Sequence, residues 1–466
     1  MAYQRRKTID VNVGGVMLGS NFPIRVQSMA NTSTMDTEGS VAQAKRIVDA
    51  GGEIVRFTTQ GQREAQNMRN ISEALRAEGY TVPLVADVHF NAAVADTAAT
   101  ICEKVRINPG NYVDPARTFK KLEYTDAEYA DEIKKIDERF VPFLNICKEH
   151  HTAIRIGVNH GSLSDRIMSR YGDTPEGMVE SCMEFLRICV RENFANVVIS
   201  IKASNTVVMV RTVRLLVAQM EKEGMAFPLH LGVTEAGEGE DGRIKSAVGI
   251  GALLCEGIGD TIRVSLSEAP EREIPVAKKL VESIEECTKL RAEAKTSIAD
   301  DTVIVTFHEK NWEDLQLKAS MTVGALFIDQ LAHKLVIQND GFSEKQLTEL
   351  ADAILQAARI KFTKTEYISC PGCGRTLYNL EETIAKIRAA VSQRAQNDKR
   401  FATLKIGIMG CIVNGHGEMA DADYGYVGAG VGKVSLYKQK VCVEKNIPEK
   451  DAVERLIQFI EADIQS

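Results

Sequence analysis

Eight short apolar segments recur along the first 290 residues of this 466-residue chain and constrain its fold more than any other feature. They are PIRVQ (23–27), EIVRF (53–57), PLVADV (83–88), KVRIN (104–108), AIRIG (153–157), VVISI (197–201), PLHLGV (228–233) and TIRVS (261–265). The stretches between them are mostly amphipathic with a helical period, and glycine often closes them. Strand and helix alternating eight times predicts a (β/α)8 TIM barrel, which is an α/β fold. A doubly wound sheet is the competing architecture, but no glycine-rich phosphate loop follows the first segment.

The alternation stops after about residue 290. The next stretch holds a strand-like segment (TVIVTF), an apolar helix-like segment (MTVGALFIDQLAHKLV) and a capped amphipathic helix (SEKQLTELADAILQAAR). The motif EYISCPGCGRT then begins a new unit. We therefore predict a barrel domain over 1–291, a small α/β insert over 292–364 and a C-terminal α+β domain over 365–466.

Charge and hydropathy argue against several classes of function. The net charge of −7 and the pI near 5.8 disfavour nucleic-acid binding, because that function favours a basic face. No run of about 18 apolar residues is present, so we expect no membrane span. The opening MAYQRRKTID lacks an apolar segment behind its arginines, which argues against a secretory signal. These features predict a cytoplasmic protein.

Five basic residues lie within the predicted strands or directly after one: Arg56, Arg106, Arg155, Lys202 and Arg263. In a TIM barrel the C-terminal strand ends surround the active site, so we expect these side chains to converge. Buried cations need anionic partners, and only Asp87 and Glu235 are clear acids at corresponding places. The cluster therefore predicts a strongly anionic ligand, with a diphosphate as the simplest candidate, because the guanidinium fork suits phosphate oxygens. His89, Asn108 and Asn159 follow strand ends and are candidates for hydrogen bonds to ligand hydroxyls, although loop capping explains each of them equally well.

Three of the ten cysteines differ from the rest. Seven sit singly in apolar or helical contexts, where free cysteine is usually a small buried hydrophobe. Cys370 and Cys373 instead form a C-x-x-C turn, and Cys411 follows 38 positions after Cys373. The turn alone would suit a redox dithiol, and the three cysteines with His416 would suit a structural zinc site.

An iron–sulfur cluster is the third reading of these cysteines, with three thiolates on three irons and an oxygen ligand or an open position on the fourth. On residue types alone it is comparable with the zinc site. The glycine-rich loop after Cys411, with Asn414 and Glu418, favours the iron–sulfur cluster.

Longer motifs occur at both ends of the chain and through most of the barrel. They are VQSMANTST, VRINPGN, RIGVNHGSLSDRI, IKASN, HLGVTEAGEGEDGRIKSAVGIGALL, TIRVSL, SCPGCGRT and MGCIVNGHGEMADADYGYVGAG. Together they resemble the family of 4-hydroxy-3-methylbut-2-enyl diphosphate synthases, the iron–sulfur enzymes of the non-mevalonate isoprenoid pathway. The long connection after NPGN and the motif NHGSLSDRIMSRYGD resemble the three-domain form of the family, which is found in plants and some bacteria.

The resemblance implies a two-electron reduction of 2-C-methyl-D-erythritol 2,4-cyclodiphosphate, with loss of water, to (E)-4-hydroxy-3-methylbut-2-enyl diphosphate. It implies a [4Fe–4S] cluster on Cys370, Cys373, Cys411 and Glu418, with Glu418 as the displaceable ligand. It also implies that Asn414 approaches the substrate and that Glu235 donates a proton. Diphosphate binding falls to Arg56, Arg106, Arg155, Lys202 and Arg263, assisted by Asn159 and Ser265. Reduced ferredoxin or flavodoxin would supply the electrons.

Two features depart from the family pattern. Position 416 is His where the family's loop usually has Pro, which keeps His416 as an alternative ligand to Glu418. The insert has only about 70 residues, far fewer than in three-domain members. Two-domain members close between chains in a dimer, and we predict a homodimer here. The alternative functions are a zinc-stabilised diphosphate-binding barrel without redox chemistry, and a lyase or aldolase with a Schiff base on Lys202.

Overall fold

A hairpin and an eight-stranded barrel form the N-terminal part of the protein. The computed structural model describes residues 3–114, 123–412 and 421–465. The hairpin consists of β1 (Val11–Val13) and β2 (Val16–Leu18). The barrel strands are β3 (Arg25–Met29), β4 (Ile54–Thr59), β5 (Leu84–Val88), β6 (Lys104–Ile107), β7 (Ala153–Asn159), β8 (Val197–Lys202), β9 (His230–Leu231) and β10 (Thr261–Ile262).

The barrel confirms the TIM-barrel prediction, because each predicted apolar segment supplies one strand. Neighbouring strands pair in parallel from β3 through β8, and β10 pairs with both β3 and β9. A bridge between Ile199 and Leu229 joins the last two neighbours and closes the ring. The strands β9 and β10 are only two residues long, so Arg263 and Ser265 follow a strand instead of lying within it.

Helices surround the barrel and alternate with its strands. They are α1 (Thr37–Asp49), α2 (Gln62–Ala77), α3 (Ala92–Ala99), α4 (Pro109–Tyr112), α5 (Asp126–Glu149), α6 (Asp165–Tyr171), α7 (Pro175–Arg191), α8 (Thr206–Lys222), α9 (Gly239–Leu254) and α10 (Glu273–Glu282). Asp36, Asn91 and Asn205 directly precede α1, α3 and α8, and each side chain accepts a backbone N–H of the first turn. These caps satisfy donors that a helix start leaves unpaired, so the loops after the strands turn directly into helices.

The N-terminal hairpin covers one end of the barrel. Its apolar side chains form a cluster with residues from the starts of four strands: Val11, Val13 and Leu18 with Ile54, Val85, Ala153 and Val198. This packing covers the N-terminal end of the barrel.

The predicted insert contains two strands and packs against the barrel. Its elements follow α11 (Ile284–Thr296) and are β11 (Thr302–Thr306), α12 (Trp312–Ile328), β12 (Lys334–Gln338) and α13 (Glu344–Ala357). The prediction of one helix through MTVGALFIDQLAHKLV is wrong, because α12 ends at Ile328 and the last residues belong to β12. Gln330 has a left-handed φ of 57°, which ends the helix, and β12 alternates between exposed and buried residues as a strand requires.

The C-terminal part forms a mixed sheet with its own core. Its strands lie in chain order and are β13 (Glu366–Ser369), β14 (Lys405–Met409), β15 (Tyr424–Gly430), β16 (Lys433–Lys438) and β17 (Val441–Pro448). Two helices, α14 (Leu380–Ala395) and α15 (Glu449–Gln465), pack their apolar side chains on this sheet. In the part of the chain that the structure describes, no helix is long and apolar enough to cross a membrane.

Candidate active site

A cavity lies between the C-terminal strand ends of the barrel and the cysteine-bearing loops of the C-terminal part. The barrel contributes the residues that the sequence predicted to converge there, namely Arg56, His89, Arg106, Arg155, Asn159, Lys202, Glu235, Arg263 and Ser265. The facing loops contribute Cys370, Cys373 and Cys411. Both groups belong to one chain, so the barrel and the C-terminal part meet within a single protomer.

Asn108 does not take part in this cavity. Its side chain accepts the N–H of Gly110 at 3.1 Å and donates to Ser162 Oγ at 2.8 Å. Loop capping is therefore the correct interpretation of Asn108, and ligand binding is not.

Arg106 connects several polar groups at the mouth of the barrel. Its guanidinium lies 3.1 Å from Asp87 Oδ1 and also contacts the ring of His89. It donates to the carbonyl of Gly157 at 2.9 Å and to Asn159 Oδ1 at 3.1 Å. A Cβ on Gly157 would lie 2.5 Å from Arg106 Nε, so this strand position must be glycine for Arg106 to cross the barrel.

Among the described residues, two other cations of the cavity have no carboxylate partner at hydrogen-bonding distance. The guanidinium of Arg56 donates to the sulfur of Met29, a weak acceptor, at 2.7 and 3.0 Å. Nε and Nη1 of Arg155 are buried without a hydrogen-bond partner among the described residues. Because buried guanidinium groups are costly without an anion, these two side chains have unused capacity for an anionic ligand.

Arg263 differs from the others because it forms a buried bidentate ion pair. Both of its contacts with Glu273, at the start of α10, measure 3.0 Å. From the sequence, only Asp87 and Glu235 were expected as acids near the cluster. That expectation was wrong, because Glu273 is a third acid there. The pairing leaves Arg263 at the cavity wall but satisfies part of its charge within the protein.

The electrostatics of the cavity follow from burial and from the excess of cations. Burial, together with Arg56 and Arg155 nearby, holds the pKa of Lys202 well below its usual range. Burial and Arg106 lower the pKa of His89 to about 3, so its ring is neutral at physiological pH. Burial alone would raise the pKa of Asp87, but Arg56, Arg106 and His89 hold it well below its usual value. Asp87 is therefore an anion that partly neutralises the cluster.

Two further basic side chains lie within the barrel, below this cavity. Lys104 and His230 are fully buried, and neither Lys104 Nζ nor His230 Nε2 has a hydrogen-bond partner among the described residues. Burial, with Arg155 and Arg56 close by, holds the pKa of Lys104 well below its usual range. The amine therefore favours its neutral form inside the barrel.

Glu235 adopts an uncommon backbone conformation at the cavity wall. Its φ is 47°, in the left-handed region, and its side chain is buried. Left-handed residues other than glycine are rare and cluster at functional sites, because the surrounding structure must hold them there. This conformation makes Glu235 a candidate reacting group.

Cys370, Cys373 and Cys411 form no disulfide among the described residues, and the first two accept backbone hydrogen bonds. Gly410 N–H donates to Cys370 Sγ at 3.2 Å, and Arg375 N–H donates to Cys373 Sγ at 3.4 Å. Such donors stabilise negatively charged sulfur and are typical around iron–sulfur ligands. The other cysteines behave as predicted except Cys442, which is only partly buried on β17.

Three of the residues that the sequence singled out follow Cys411 in the chain. Asn414, His416 and Glu418 lie within residues 413–420, outside the described residues. Within residues 3–114, 123–412 and 421–465, no group of three or more His, Cys, Asp or Glu side chains is arranged to hold a single metal ion.

Polar contacts close to the cysteines join the C-terminal part to the barrel and to the insert. Glu366 at the start of β13 lies between Lys245 of α9, at 2.9 Å, and Arg359, which follows α13. Ser267, beyond β10, lies 2.9 Å from the carbonyl oxygen of Cys370 and donates to it. These contacts fix the position of the cysteine-bearing turn over the barrel.

Sequence reasoning missed three residues that this geometry brings forward. Lys104 stands two positions before Arg106 on β6, so the alternation of a strand places both side chains inside the barrel and could have identified it. Glu273 reads as an ordinary acid in the first turn of a helix. Arg375 belongs to the motif SCPGCGRT, but no sequence pattern indicates that its side chain reaches Asp87.

Comparisons with known proteins give independent evidence on the family to which the chain belongs. The family descriptions GcpE TIM-barrel domain and GcpE protein C-terminal domain match residues 8–278 and 366–462. A protein of Bacteroides thetaiotaomicron named 4-hydroxy-3-methylbut-2-en-1-yl diphosphate synthase (flavodoxin) is 54% identical, covering 99% of this chain and 98% of the relative. A protein of the same name from Phocaeicola vulgatus is 52% identical, with the same coverage. The first alignment has 609 positions against 466 residues in this chain, so at least 143 positions lack a residue here.

Proposed function

Because the chain belongs to the GcpE family of 4-hydroxy-3-methylbut-2-en-1-yl diphosphate synthases, we infer that it reduces 2-C-methyl-D-erythritol 2,4-cyclodiphosphate to (E)-4-hydroxy-3-methylbut-2-enyl diphosphate. In this reaction two electrons and a proton enter, the ring C–O bond to phosphate breaks, and a hydroxyl group leaves as water. The enzyme is an oxidoreductase of isoprenoid biosynthesis.

The observation that carries this proposal is the composition of one cavity. Arginines with unused hydrogen-bonding capacity, such as Arg155, line its barrel side, and three thiols line the opposite side. An anion-binding wall explains the diphosphate, and the thiols supply ligands for a redox centre. Neither feature by itself distinguishes this reaction from the alternatives, but together they match its two requirements.

We propose that Cys370, Cys373, Cys411 and Glu418 hold a [4Fe–4S] cluster. The donor set fits, because three thiols share one cavity and backbone N–H groups point at two of the sulfurs. When bound, such a cluster supplies single electrons at low potential, which side chains cannot do. Glu418 and Asn414 enter this proposal from the family resemblance, with Glu418 as the weaker, exchangeable oxygen ligand.

The barrel residues would bind and orient the diphosphate. Arg56, Arg155 and Lys202 would pair with phosphate oxygens, and Arg106 and Arg263 would contribute while keeping their carboxylate partners. Clamping the diphosphate stabilises the negative charge that develops on the leaving phosphate oxygen. Asn159, Ser265 and neutral His89 would add hydrogen bonds that hold the organic part of the substrate.

Glu235 would supply the proton for the departing hydroxyl group. It lines the same cavity as the cysteines and the barrel cations, and it is shielded from bulk water. A carboxylic acid in such an environment is a suitable general acid when it lies within hydrogen-bonding reach of the leaving oxygen. The reaction then releases water without a free hydroxide.

Electrons would come from a small carrier protein. The relatives are named as flavodoxin-dependent, so we propose reduced flavodoxin as the donor, with reduced ferredoxin as the alternative. The homodimer and the cytoplasmic location stay predictions. Because the cavity is completed within one chain, a dimer is not needed to bring the cysteines to the barrel.

Lys202 supports a second candidate function, the Schiff-base lyase or aldolase. Its pKa is held well below the usual range by burial and neighbouring cations, which favours a nucleophilic amine. This function predicts that borohydride traps a carbonyl substrate on Lys202. It assigns no role to the three thiols in the same cavity, and we therefore prefer the reductase.

The test begins with protein purified without oxygen. We expect a broad absorption near 400 nm and about four irons and four sulfides per chain, as a [4Fe–4S] cluster requires. The protein should then convert the cyclic diphosphate with reduced flavodoxin. A colourless protein that holds one zinc per chain, or an iron–sulfur protein that leaves the cyclic diphosphate unchanged, would contradict the proposal.

A further inference from the structure

We propose that Arg375, carried by the C-terminal part, is a further diphosphate-binding residue that completes the anion site only when that part lies on the barrel. This inference rests on the proposed function, because it takes the diphosphate as the ligand of the cavity. It adds a sixth cation to the five of the barrel and makes substrate binding depend on domain closure.

Arg375 links the cysteine-bearing turn directly to the barrel. Its backbone N–H donates to Cys373 Sγ at 3.4 Å, while its guanidinium reaches into the barrel mouth. There Nη2 donates to the carbonyl oxygen of Asp87 at 3.2 Å, and Nη1 lies 3.6 Å from Asp87 Oδ2. The side chain is 8% exposed and lines the same cavity as Arg56 and Arg155. One residue therefore touches both a proposed cluster ligand and the wall of the proposed anion site.

The turn approaches the barrel as closely as its backbone permits. A Cβ on Gly374 would lie 2.8 Å from the carbonyl oxygen of Thr32, in the loop after β3. Only glycine fits at this distance without displacing the backbone, so the neighbouring Arg375 is delivered to a defined place in the barrel mouth. The contact between the turn and the barrel therefore fixes the position of Arg375.

The hydrogen bonds of Arg375 leave most of its donors available. A guanidinium group carries five N–H donors, and the structure shows one hydrogen bond from this one to another residue in the described part of the chain, to Asp87. Asp87 is shared with Arg106 and stands near Arg56. A single carboxylate cannot neutralise these cations, whereas a diphosphate offers several oxygens to them at once.

Closure and binding are coupled in this arrangement. When the C-terminal part moves away, Arg375 leaves the barrel mouth and the anion site loses a cation. A diphosphate in the site therefore favours the closed state.

The test measures binding of inorganic pyrophosphate to the anaerobically prepared full-length protein by calorimetry. The variants are Arg375→Met, Arg375→Lys and the control Arg400→Met, which removes an exposed arginine of the same part of the chain. Loss of a charged hydrogen bond should weaken binding about 10- to 100-fold in Arg375→Met. Arg375→Lys should recover part of the loss, and Arg400→Met should bind like wild type. Iron content reports whether each variant is loaded.

A second readout addresses closure. In wild type, pyrophosphate should slow hydrogen exchange in residues 366–376, and in Arg375→Met this protection should disappear. If Arg375→Met does not fold, Arg375→Lys decides the question through its weakened binding. Binding and protection equal to wild type in these variants would overturn the proposal.

Failure of the proposed function and failure of the inference about Arg375 give different patterns of ligand binding. If wild type binds pyrophosphate but not 2-C-methyl-D-erythritol 2,4-cyclodiphosphate, the substrate assignment fails while the role of Arg375 in anion binding stands or falls by its own variants. If wild type binds both ligands and Arg375→Met binds both equally well, only the inference about Arg375 fails.

Discussion

Replacing Lys104 by methionine should stabilise this protein, although such a change at a buried residue usually destabilises. Lys104 is fully buried, and its amine has no hydrogen-bond partner among the described residues. Methionine has a similar length and no polar atom, so it removes an unsatisfied amine without opening a large cavity. The expectation follows from the cost of burying an amine that has no hydrogen-bond partner in the described part of the chain.

The magnitude follows from the protonation of the amine. Burial, with Arg155 and Arg56 nearby, holds the pKa of Lys104 well below its ordinary value of 10.5 in the folded protein. The unfolded chain therefore binds a proton that the folded protein does not, and wild-type stability rises with pH through this window. The slope is at most about 1.4 kcal/mol per pH unit. At pH 8 the cost of neutralising the amine therefore reaches up to about 3 kcal/mol, and it vanishes near the ordinary pKa.

Urea unfolding followed by tryptophan fluorescence provides the assay. Trp312 is the only tryptophan, and its indole N–H donates to Glu240 of α9 at 2.8 Å, so its emission reports on the core shared by barrel and insert. The free energy of unfolding should be measured between pH 7 and pH 10 for wild type and Lys104→Met. Lys345→Met, at a side chain that is 85% exposed, serves as the control and should follow wild type.

The variant should be more stable than wild type at pH 7 to 8, and the difference should shrink as the pH rises. A variant that is less stable at pH 8 would show that the Lys104 amine is satisfied in the fold. A difference that stays constant up to pH 10 would refute the assignment of the effect to the proton of Lys104.

The remaining predictions concern the cysteines, the domain contact and the barrel packing. Cys373→Ser should lose iron and colour, while Arg155→Ala should keep both and mainly raise KM; equal loss of colour would contradict the division between anion wall and cluster ligands. Glu366→Gln should lower the free energy of unfolding at pH 7 by about 3 kcal/mol, because buried cations lower the pKa of this carboxyl from 4.5 to about 2. This stabilisation is complete above the ordinary pKa and is lost as the pH falls through about 2, so wild type and variant should converge below pH 4.5 in urea unfolding. Gly157→Ala should displace Arg106, whose Nε would lie 2.5 Å from the new Cβ, and weaken pyrophosphate binding about tenfold in calorimetry, with unchanged binding as the contrary result.

The barrel was predictable because its signal is local and repeated. A run of apolar and β-branched residues predicted each strand. In a TIM barrel the C-terminal ends of the strands surround one site, so the positions of these ends were also predictable. Convergence of Arg56, Arg106 and Arg155 followed from that rule alone. The insert was harder to predict, because MTVGALFIDQLAHKLV is apolar throughout and its period does not separate the end of α12 from β12.

Partners across large sequence separations were not predictable in this way. Arg263 read as an unpaired cation until α10 was seen to bring Glu273 to it. Arg375 contacts Asp87 from 288 positions away, and no local pattern encodes such a contact. The pairing depends on how the C-terminal part packs on the barrel, which in turn depends on side chains such as Glu366 that are ordinary in the sequence and form an ion pair across this contact.

The sequence by itself therefore determined the chemistry that the protein carries: a barrel rich in inward-facing cations, and three cysteines in a separate C-terminal part. Local patterns suffice for this, because apolar periodicity and residue type are properties of neighbouring positions. Only the tertiary structure decided that the cysteines face the cations within one chain, that Arg375 enters the barrel mouth, and that Asp87 is shared among several cations. These outcomes arise from burial and from contacts between distant segments, which exist only once the barrel has closed and the C-terminal part has packed upon it.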